Sequence, residues 1–207
     1  LLFQDGGLVV MGANILIMGI VPGFVGYGVF QMVKNQSRGV KLGVTAVAAW
    51  ASVMIAALVT ALLLGFSGTT ALSVAIPAML GIHALIGLGE ALITVAALSF
   101  IMQTRPQLLT DDAPAGSGKW IVAGILLALM VVLLAPFASG SPDGLEWVAE
   151  QTGFIDTALD APFQILPDYT IPGLGETGAS TILAGVIGAL IVAGVTFGLG
   201  RILRRQG

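Results

Sequence analysis

The sequence contains no cysteine, only one histidine and few charged residues. Without cysteine, the chain has no disulfide and no thiolate metal site, which excludes zinc ribbons, iron–sulfur centres and thiol redox chemistry. No GxxxxGK[ST] stretch occurs, so this chain does not hydrolyse nucleotide through a P-loop. No basic stripe indicates nucleic-acid binding, and the terminal RILRRQG is interpreted as a cytoplasmic anchor. These absences point away from soluble enzymes and nucleic-acid binders.

The scarcity of charge places the chain in a membrane. Of 207 residues, 57% are hydrophobic and only 9% are charged, whereas soluble domains carry about 25% charged residues. A single soluble core would not bury so much apolar surface, but lipid removes the need for a polar exterior. The 29 glycines suit close helix packing in lipid, and the GxxxG pairs Gly19/Gly23 and Gly194/Gly198 predict such packing.

Five apolar stretches are each long enough to cross the roughly 30 Å hydrocarbon core, which needs about 20 helical residues. They cover residues 8–33, 42–66, 74–102, 120–138 and 179–200. We therefore predict an all-α fold, a polytopic transmembrane helical bundle with five spans.

The basic residues between the spans predict the orientation. They fall into three groups on one side of the predicted bundle, namely Lys34, Arg38 and Lys41, then Arg105 and Lys119, then Arg201, Arg204 and Arg205. The positive-inside rule makes that side cytoplasmic. We expect a multi-pass protein of the cell membrane with a cytoplasmic carboxyl terminus.

The opposite, extracytoplasmic side receives the short SGTT loop and an acidic loop at about 139–178. This loop carries seven acids and no base, namely Asp143, Glu146, Glu150, Asp156, Asp160, Asp168 and Glu176. The acids either keep the loop solvated or attract cations to the outer surface, and the sequence leaves both open. Within SPDGLEWVAEQTGF, Asp143 and Glu146 have the spacing of a capping box and predict a short helix against the bundle or membrane.

His83 and Glu90 interrupt the apolar run GIHALIGLGEALIT at 81–94. An ionisable side chain at the middle of a span costs about 2.5 to 3.5 kcal/mol, so such residues normally face the protein interior. Seven residues apart, the two share a helix face but lie about 10.5 Å apart along the axis, which excludes one shared ion. We expect each to find partners on other helices, and Asn14 on the first span to meet His83.

Alternative roles remain open for both residues. His83 is either a metal ligand, or a residue that orients one, or a neutral imidazole that ties two helices together. Glu90 is either a proton or cation contact or a packing acid. An intramembrane hydrolase would need a serine close to the histidine, and His83 has none within one helical turn. We therefore expect that the chain is not an enzyme.

Three segments together resemble one transporter family. LLFQDGGLVVMGANILIMGIVPGFVGYGVF is similar to the middle of CbiM and NikM, the cobalt and nickel substrate-binding membrane subunits of energy-coupling factor transporters. HALIGLGEALIT resembles their following helix, and SPDGLEWVAEQTGF with the last span resembles the PDGLE module of a small accessory subunit of the NikN or CbiN type. The resemblance implies a CbiM/NikM-like domain at 1–119, lacking its beginning, and a PDGLE-type module at 120–207 with two spans.

The resemblance implies uptake of Co²⁺ or Ni²⁺ as the substrate-binding component of an ATP-driven transporter. Expected partners are a transmembrane coupling subunit and cytoplasmic ATPases, which use the ATP, so this chain itself binds no cofactor. The family's metal ligands lie upstream of Leu1, and His83, Asn14 and Glu90 are only supporting candidates, with His83 expected to orient a ligand. The alternative is a structural or assembly subunit without a metal site. The sequence does not choose between cobalt and nickel, because both accept nitrogen ligands.

Overall fold

A computed structural model describes residues 10–104, 106, 118–138, 141–159, 165–166 and 169–204. The whole LLFQDGG motif, Arg105, Asp160, Asp168 and Arg205 lie outside the described residues. Described residues form helices and no strand: α1 (Met11–Asn14), a π-helical turn (Ile15–Ile20), α2 (Val21–Val33), α3 (Arg38–Phe66), α4 (Leu72–Thr104), α5 (Gly118–Val132), α6 (Gly144–Thr152) and α7 (Gly178–Arg204). The predicted all-α class is confirmed.

The chain divides into two compact units. The bundle unit comprises residues 9–113 and 141–160, and the tail unit comprises 1–8, 114–140 and 161–207. Contacts thus group α6 with α2, α3 and α4, although the predicted domain border at 119/120 assigns α6 to the second domain. That border concerns sequence modules rather than contacts, and it stays a prediction.

Four of the described helices are long and apolar enough to cross a membrane, at Met11–Val33, Arg38–Phe66, Leu72–Thr104 and Gly178–Ile202. The expected fourth span, 120–138, differs because α5 ends at Val132 and a 3₁₀ turn follows at Ala135–Phe137. Pro136 within that turn cannot donate a backbone hydrogen bond and disfavours helix at the residue before it. The five-span prediction therefore becomes four long helices and one shorter apolar helix.

Helices α3 and α4 form an antiparallel hairpin, which is the most extensive helix contact in the bundle unit. The buried residues of α4 recur every fourth position or a multiple of it, at Ala75, Met79, Gly87 and Ala91. His83 occupies the vacant position of this series, so it lies on the face that α4 turns towards α3. The turn at 67–71 joins the helices, with Gly68 at a φ of 77°. We call this the turn end of the hairpin, and the opposite end the far end.

Helix α6 confirms the predicted capping box. The Asp143 carboxylate accepts bonds from the backbone N–H groups of Leu145 and Glu146, both at 2.8 Å, and the Glu146 carboxylate accepts one from the Asp143 N–H at 3.3 Å. The helix ends at Gly153, which has a φ of 80°. This left-handed conformation favours glycine because it has no side chain to clash.

Helix α6 packs against the turn end of the α3–α4 hairpin. Its Val148 and Ala149, with Phe154 just beyond, form one buried apolar cluster with hairpin residues. Those residues are Ala61, Ala75 and Met79. Val148 and Met79 are 0% and 1% exposed. The prediction of a short helix against the bundle is therefore confirmed.

The packing predicted from the two GxxxG pairs is wrong within the described chain. A Cβ added at Gly19, Gly23, Gly194 or Gly198 would meet no atom within 4 Å. GxxxG spacing places two glycines on one helix face, but it does not say whether another helix of the same chain covers that face. Close approach occurs at glycines without this spacing, such as Gly87 against Trp50.

Within the tail unit, the first half of α7 contacts the residues before it and helix α5. The Thr177 hydroxyl accepts a bond from the Ser180 N–H at 3.2 Å, and the fully buried Ser180 hydroxyl accepts one from the Ile171 N–H at 2.6 Å. A Cβ at Gly185 would lie 2.7 Å from Cγ1 of Val132. Glycine at this position therefore lets α7 approach α5 closely.

Candidate functional site

Two neighbouring cavities lie in the bundle unit between α2, α3 and α4. The turn-side cavity has a volume of about 330 Å³ and includes His83, Glu90, Ser52 and Thr60 in its wall. The far-side cavity has a volume of about 270 Å³, and its polar wall residues are Glu90, Ser52, Thr45 and Thr94. Pro22, Ser52 and Glu90 line both cavities, so the two spaces are adjacent, and Glu90 is an exposed residue.

His83 is held by its own helix. Its Nδ1 lies 2.8 Å from the carbonyl oxygen of Met79, one turn earlier. Because a carbonyl only accepts hydrogen bonds, Nδ1 donates this bond. The prediction that His83 finds its partners on other helices is wrong for Nδ1, since helical side chains lean towards the preceding turn.

The start of α6 lies against the His83 ring. A Cβ added at Gly144 would be 2.8 Å from Cε1 and 3.1 Å from Nε2 of His83, and 3.0 Å from Cδ1 of Ile86. Real Cβ atoms do not come this close to ring atoms, so only glycine permits the observed approach. The PDGLE sequence therefore contributes two features to this place, the cap at Asp143 and the contact at Gly144.

Three hydroxyl groups in the cavity walls donate their hydrogens to backbone carbonyls of their own helices. Ser52 donates to Ala49 at 2.8 Å, and Thr60 donates to Ala56 at 3.0 Å. Thr94 donates to the carbonyl of Glu90 at 2.8 Å. Each hydroxyl oxygen is left with acceptor capacity only.

The cavity walls therefore combine oxygen and nitrogen side chains. Glu90 contributes a carboxyl group, His83 an imidazole ring, and Ser52, Thr60 and Thr94 hydroxyl oxygens that can still accept hydrogen bonds. Oxygen and nitrogen atoms of this kind are the ones that divalent metal ions take as ligands.

The structure places the three predicted site residues differently. His83 and Glu90 line the same cavity, in agreement with a shared helix face, while their separation of about 10.5 Å along the axis keeps them at different levels. Asn14 ends α1 and is not part of either cavity wall. Its contact with His83 stays a prediction.

Sequence reasoning missed the hydroxyl groups. Thr45, Ser52 and Thr60 follow one another on α3 at intervals of seven and eight residues, which places them on roughly one helix face. That spacing was the available signal. Among the described residues, no three His, Cys, Asp or Glu side chains form a group that could hold a metal ion, so the ligand candidates are the mixed set above.

Two family models match the chain in succession. The model of CbiM, described as the cobalt uptake substrate-specific transmembrane region, matches residues 1–108. The model of the PDGLE domain matches residues 118–205. Both cavities lie within the first match, whereas α6 lies within the second.

Three curated relatives are named as fused nickel transport proteins. The chain is 34% identical over 209 residues to a putative fused nickel transport protein NikMN of Archaeoglobus fulgidus, covering 99% of this chain and 68% of the relative. It is 30% identical to a probable fused nickel transport protein LarMN of Lactiplantibacillus plantarum, covering 92% and 65%. A fused nickel transport protein NikMN of Rhodobacter capsulatus is 28% identical, with 99% and 72% covered. No solved structure matches the chain.

Proposed function

Since the chain belongs to the CbiM family of cobalt-uptake transmembrane regions and continues into a PDGLE domain, we propose that it takes up Ni²⁺ or Co²⁺ as the substrate-binding component of an ATP-driven energy-coupling factor transporter. It is a multi-pass membrane protein of a transport family and not an enzyme. A transmembrane coupling subunit and cytoplasmic ATPases are its proposed partners. The ATPases hydrolyse the nucleotide, because this chain contains no P-loop of its own.

The observation that carries the proposal is the pair of cavities with polar wall residues between apolar helices. A carboxyl group near the middle of a span costs about 2.5 to 3.5 kcal/mol to insert, so such residues usually have a functional role. His83 and Glu90 line the turn-side cavity together, which supports a role in metal transport over a purely structural subunit. The spans in this chain then provide the scaffold and the surface that faces the partner subunits.

The proposed orientation has support within the bundle unit. The acidic helix α6 packs at the turn end of the hairpin. At the far end, the Arg38 guanidinium donates a bond to the Ser99 carbonyl at 3.5 Å, and Lys34 and Lys41 lie near the same helix start. Acidic and basic groups thus occupy opposite ends, and the positive-inside rule assigns the basic end to the cytoplasm.

Single cysteines test this orientation, because the chain contains none of its own. A membrane-impermeant maleimide added to intact cells should label Trp147→Cys on α6, since Trp147 is 42% exposed. It should label Gln36→Cys in the loop before α3, and Arg201→Cys near the end of α7, only after permeabilisation. Labelling of Gln36→Cys in sealed cells would contradict the orientation.

Uptake measurements test the proposed function itself. Cells that express the full-length protein with its coupling and ATPase subunits should accumulate radioactive Ni²⁺ or Co²⁺, and an ATPase subunit with an inactivated P-loop should abolish accumulation. Competition between the two ions in the same cells identifies the substrate. If full-length protein binds and transports neither ion but is needed for assembly of a membrane complex, the structural alternative holds.

Removal of the histidine side chain should weaken metal binding without abolishing it. His83→Ala in the full-length protein should raise the dissociation constant for Ni²⁺ or Co²⁺ by roughly 10 to 100-fold, the usual effect of losing a residue that orients a metal ligand. Equilibrium dialysis of purified protein measures this constant. Met102→Ala, at the far end of α4, is the control. An unchanged dissociation constant would show that His83 only packs between helices and does not act on the metal site.

A further inference from the structure

We propose that a basic patch at the far end of the hairpin, formed by Lys34, Arg38 and Lys41, binds the phosphate headgroup of an anionic phospholipid. Lys34 directly follows the last residue of α2, and Arg38 and Lys41 lie at the start of α3. The proposed orientation puts this end in the cytoplasmic leaflet, which carries anionic lipids. The inference goes beyond the proposed function, because it concerns a lipid partner and not the transported ion.

The first argument is the charge of the patch. Its three cations fall within eight residues, and Lys34 and Arg38 are exposed while Lys41 is half-buried. The acids of the described bundle unit are Glu90 and the four between 143 and 156, and α6, which carries most of those four, packs at the opposite end of the hairpin. Within the described residues, the patch therefore has a net positive charge that calls for an anionic partner.

The second argument is the orientation of Arg38. Its guanidinium donates a hydrogen bond across the hairpin to the Ser99 carbonyl at 3.5 Å. Glu90 lies nine residues before Ser99, which is about 13.5 Å along α4 and too far for an ion pair at this place. The guanidinium has further N–H groups in a planar fork, and this fork matches the oxygens of a phosphate. Arg38 therefore presents fixed donors, and the two lysines add charge.

The third argument is depth in the membrane. Helix α3 has 29 residues, which gives a length of about 44 Å at 1.5 Å for each residue. A bilayer with its headgroup layers is about 40 to 45 Å thick. A centred α3 therefore begins, at Arg38, among the phosphates of one leaflet. Lys41 starts about 4.5 Å deeper, and its flexible stem lets the ammonium group reach the same layer.

The fourth argument is the apolar border of the patch. Met32 and Val40 are 81% and 44% exposed, and Phe100, next to Ser99 on α4, is 60% exposed. Cations beside exposed apolar side chains suit the boundary between headgroups and hydrocarbon, because a lipid offers a phosphate to the first and acyl chains to the second. An acidic protein surface would complement the cations but not these apolar side chains. The observations therefore favour a lipid over a protein partner.

Fluorescence quenching in lipid nanodiscs tests the patch. A fluorophore on Met32→Cys of the purified full-length protein reports which lipid lies beside Lys34, and this chain contributes no other cysteine. The quenchers are phosphatidylglycerol and phosphatidylcholine, each with a nitroxide on its acyl chain close to the headgroup. We expect phosphatidylglycerol to have an association constant at least about fivefold higher, equivalent to about 1 kcal/mol. The ratio should fall as NaCl is raised from about 50 to about 500 mM.

Exchange of all three patch residues for glutamine, which keeps a polar side chain and removes the charge, should bring the ratio to within about twofold of unity. Arg201→Gln, which removes a cation near the end of α7, is the charge control and should keep the preference. A fluorophore on Phe66→Cys, at the opposite end of α3, is the position control. Phe66 is 78% exposed, and this site should be quenched equally by both lipids.

Equal quenching of the Met32→Cys fluorophore by both lipids in the otherwise unchanged protein refutes the lipid site, and this result needs no patch variant to fold. Preference retained after all three exchanges refutes it as well. If quenching is equal and the coupling and ATPase subunits slow maleimide labelling of Gln36→Cys, the patch binds a protein and the inference is wrong. The measurement uses only protein and lipid, so a failure to transport Ni²⁺ or Co²⁺ would refute the proposed function without changing this result.

Discussion

Replacement of Gly144 with valine should detach α6 from the α3–α4 hairpin. A Cβ at this position would lie 2.8 Å from Cε1 of His83, and the two further methyl groups of valine have no free space beside Ile86. Overpacking of this kind costs about 1 to 3 kcal/mol. The loss should appear as faster maleimide labelling of Val148→Cys, because Val148 is 0% exposed while α6 is docked. A cost of 1 to 3 kcal/mol corresponds to a rate increase of about 5 to 150-fold.

Two further variants distinguish this clash from a general loss of stability. Gly81→Val, on the same α4 helix, introduces valine where an added Cβ meets nothing within 4 Å, so labelling of Val148→Cys should not change. His83→Ala combined with Gly144→Val removes the ring that the valine strikes and should restore part of the protection. If Val148→Cys is labelled equally fast in Gly144→Val and in the double variant with His83→Ala, position 144 does not contact the His83 ring.

The sequence predicted the helix α6 itself but not the residues against which it packs. The helix and its capping box follow from Asp143 and Glu146, because those bonds join residues three positions apart. The partner of the buried face does not follow, because Val148 meets Met79 across a long separation in sequence. A local pattern shows which face of a helix is apolar, but not which distant helix covers it.

The membrane class was predictable because apolar length alone determines it. Composition and the long apolar runs identified the four long helices, with bounds that differ by several residues. The end of the helix within the expected span at 120–138 did not follow from hydropathy, because hydropathy measures transfer to lipid and not helix continuity. The turn around Pro136 interrupts the helix while leaving the stretch apolar.

The candidate site was predictable only from its rare residues. His83 and Glu90 stand out because charge and imidazole are scarce in apolar spans. The hydroxyls of Ser52 and Thr60 do not, since serine and threonine are common in membrane helices and usually bond their own backbone. Only the three-dimensional arrangement shows that these hydroxyls lie in the same cavity walls as His83 and Glu90. The Nδ1–H bond of His83 to Met79 likewise depends on a rotamer that the sequence does not specify.

The largest loss of stability is expected from Gly87→Leu, at the centre of the α3–α4 contact. A Cβ at Gly87 would lie 3.0 Å from Cδ1 of Trp50 and 3.4 Å from Cβ of Val53, so the remaining leucine carbons would push α3 away. The shift would break the bond from Trp50 Nε1 to the Ala84 carbonyl, which measures 3.0 Å. Overpacking and the lost bond together should cost about 2 to 5 kcal/mol.

In purified protein, this cost should lower the midpoint of thermal unfolding by roughly 4 to 20 °C, at about 2 to 4 °C for each kcal/mol. Gly89→Leu is the matched control, since it makes the same exchange two residues later, where an added Cβ meets nothing within 4 Å. It should leave the midpoint unchanged or raise it, because leucine favours helix more than glycine does. Because Val53 also lines the turn-side cavity, Gly87→Leu should reduce ion uptake even at temperatures at which the protein stays folded. Equal midpoints for Gly87→Leu and Gly89→Leu would show that α3 and α4 do not pack through Gly87.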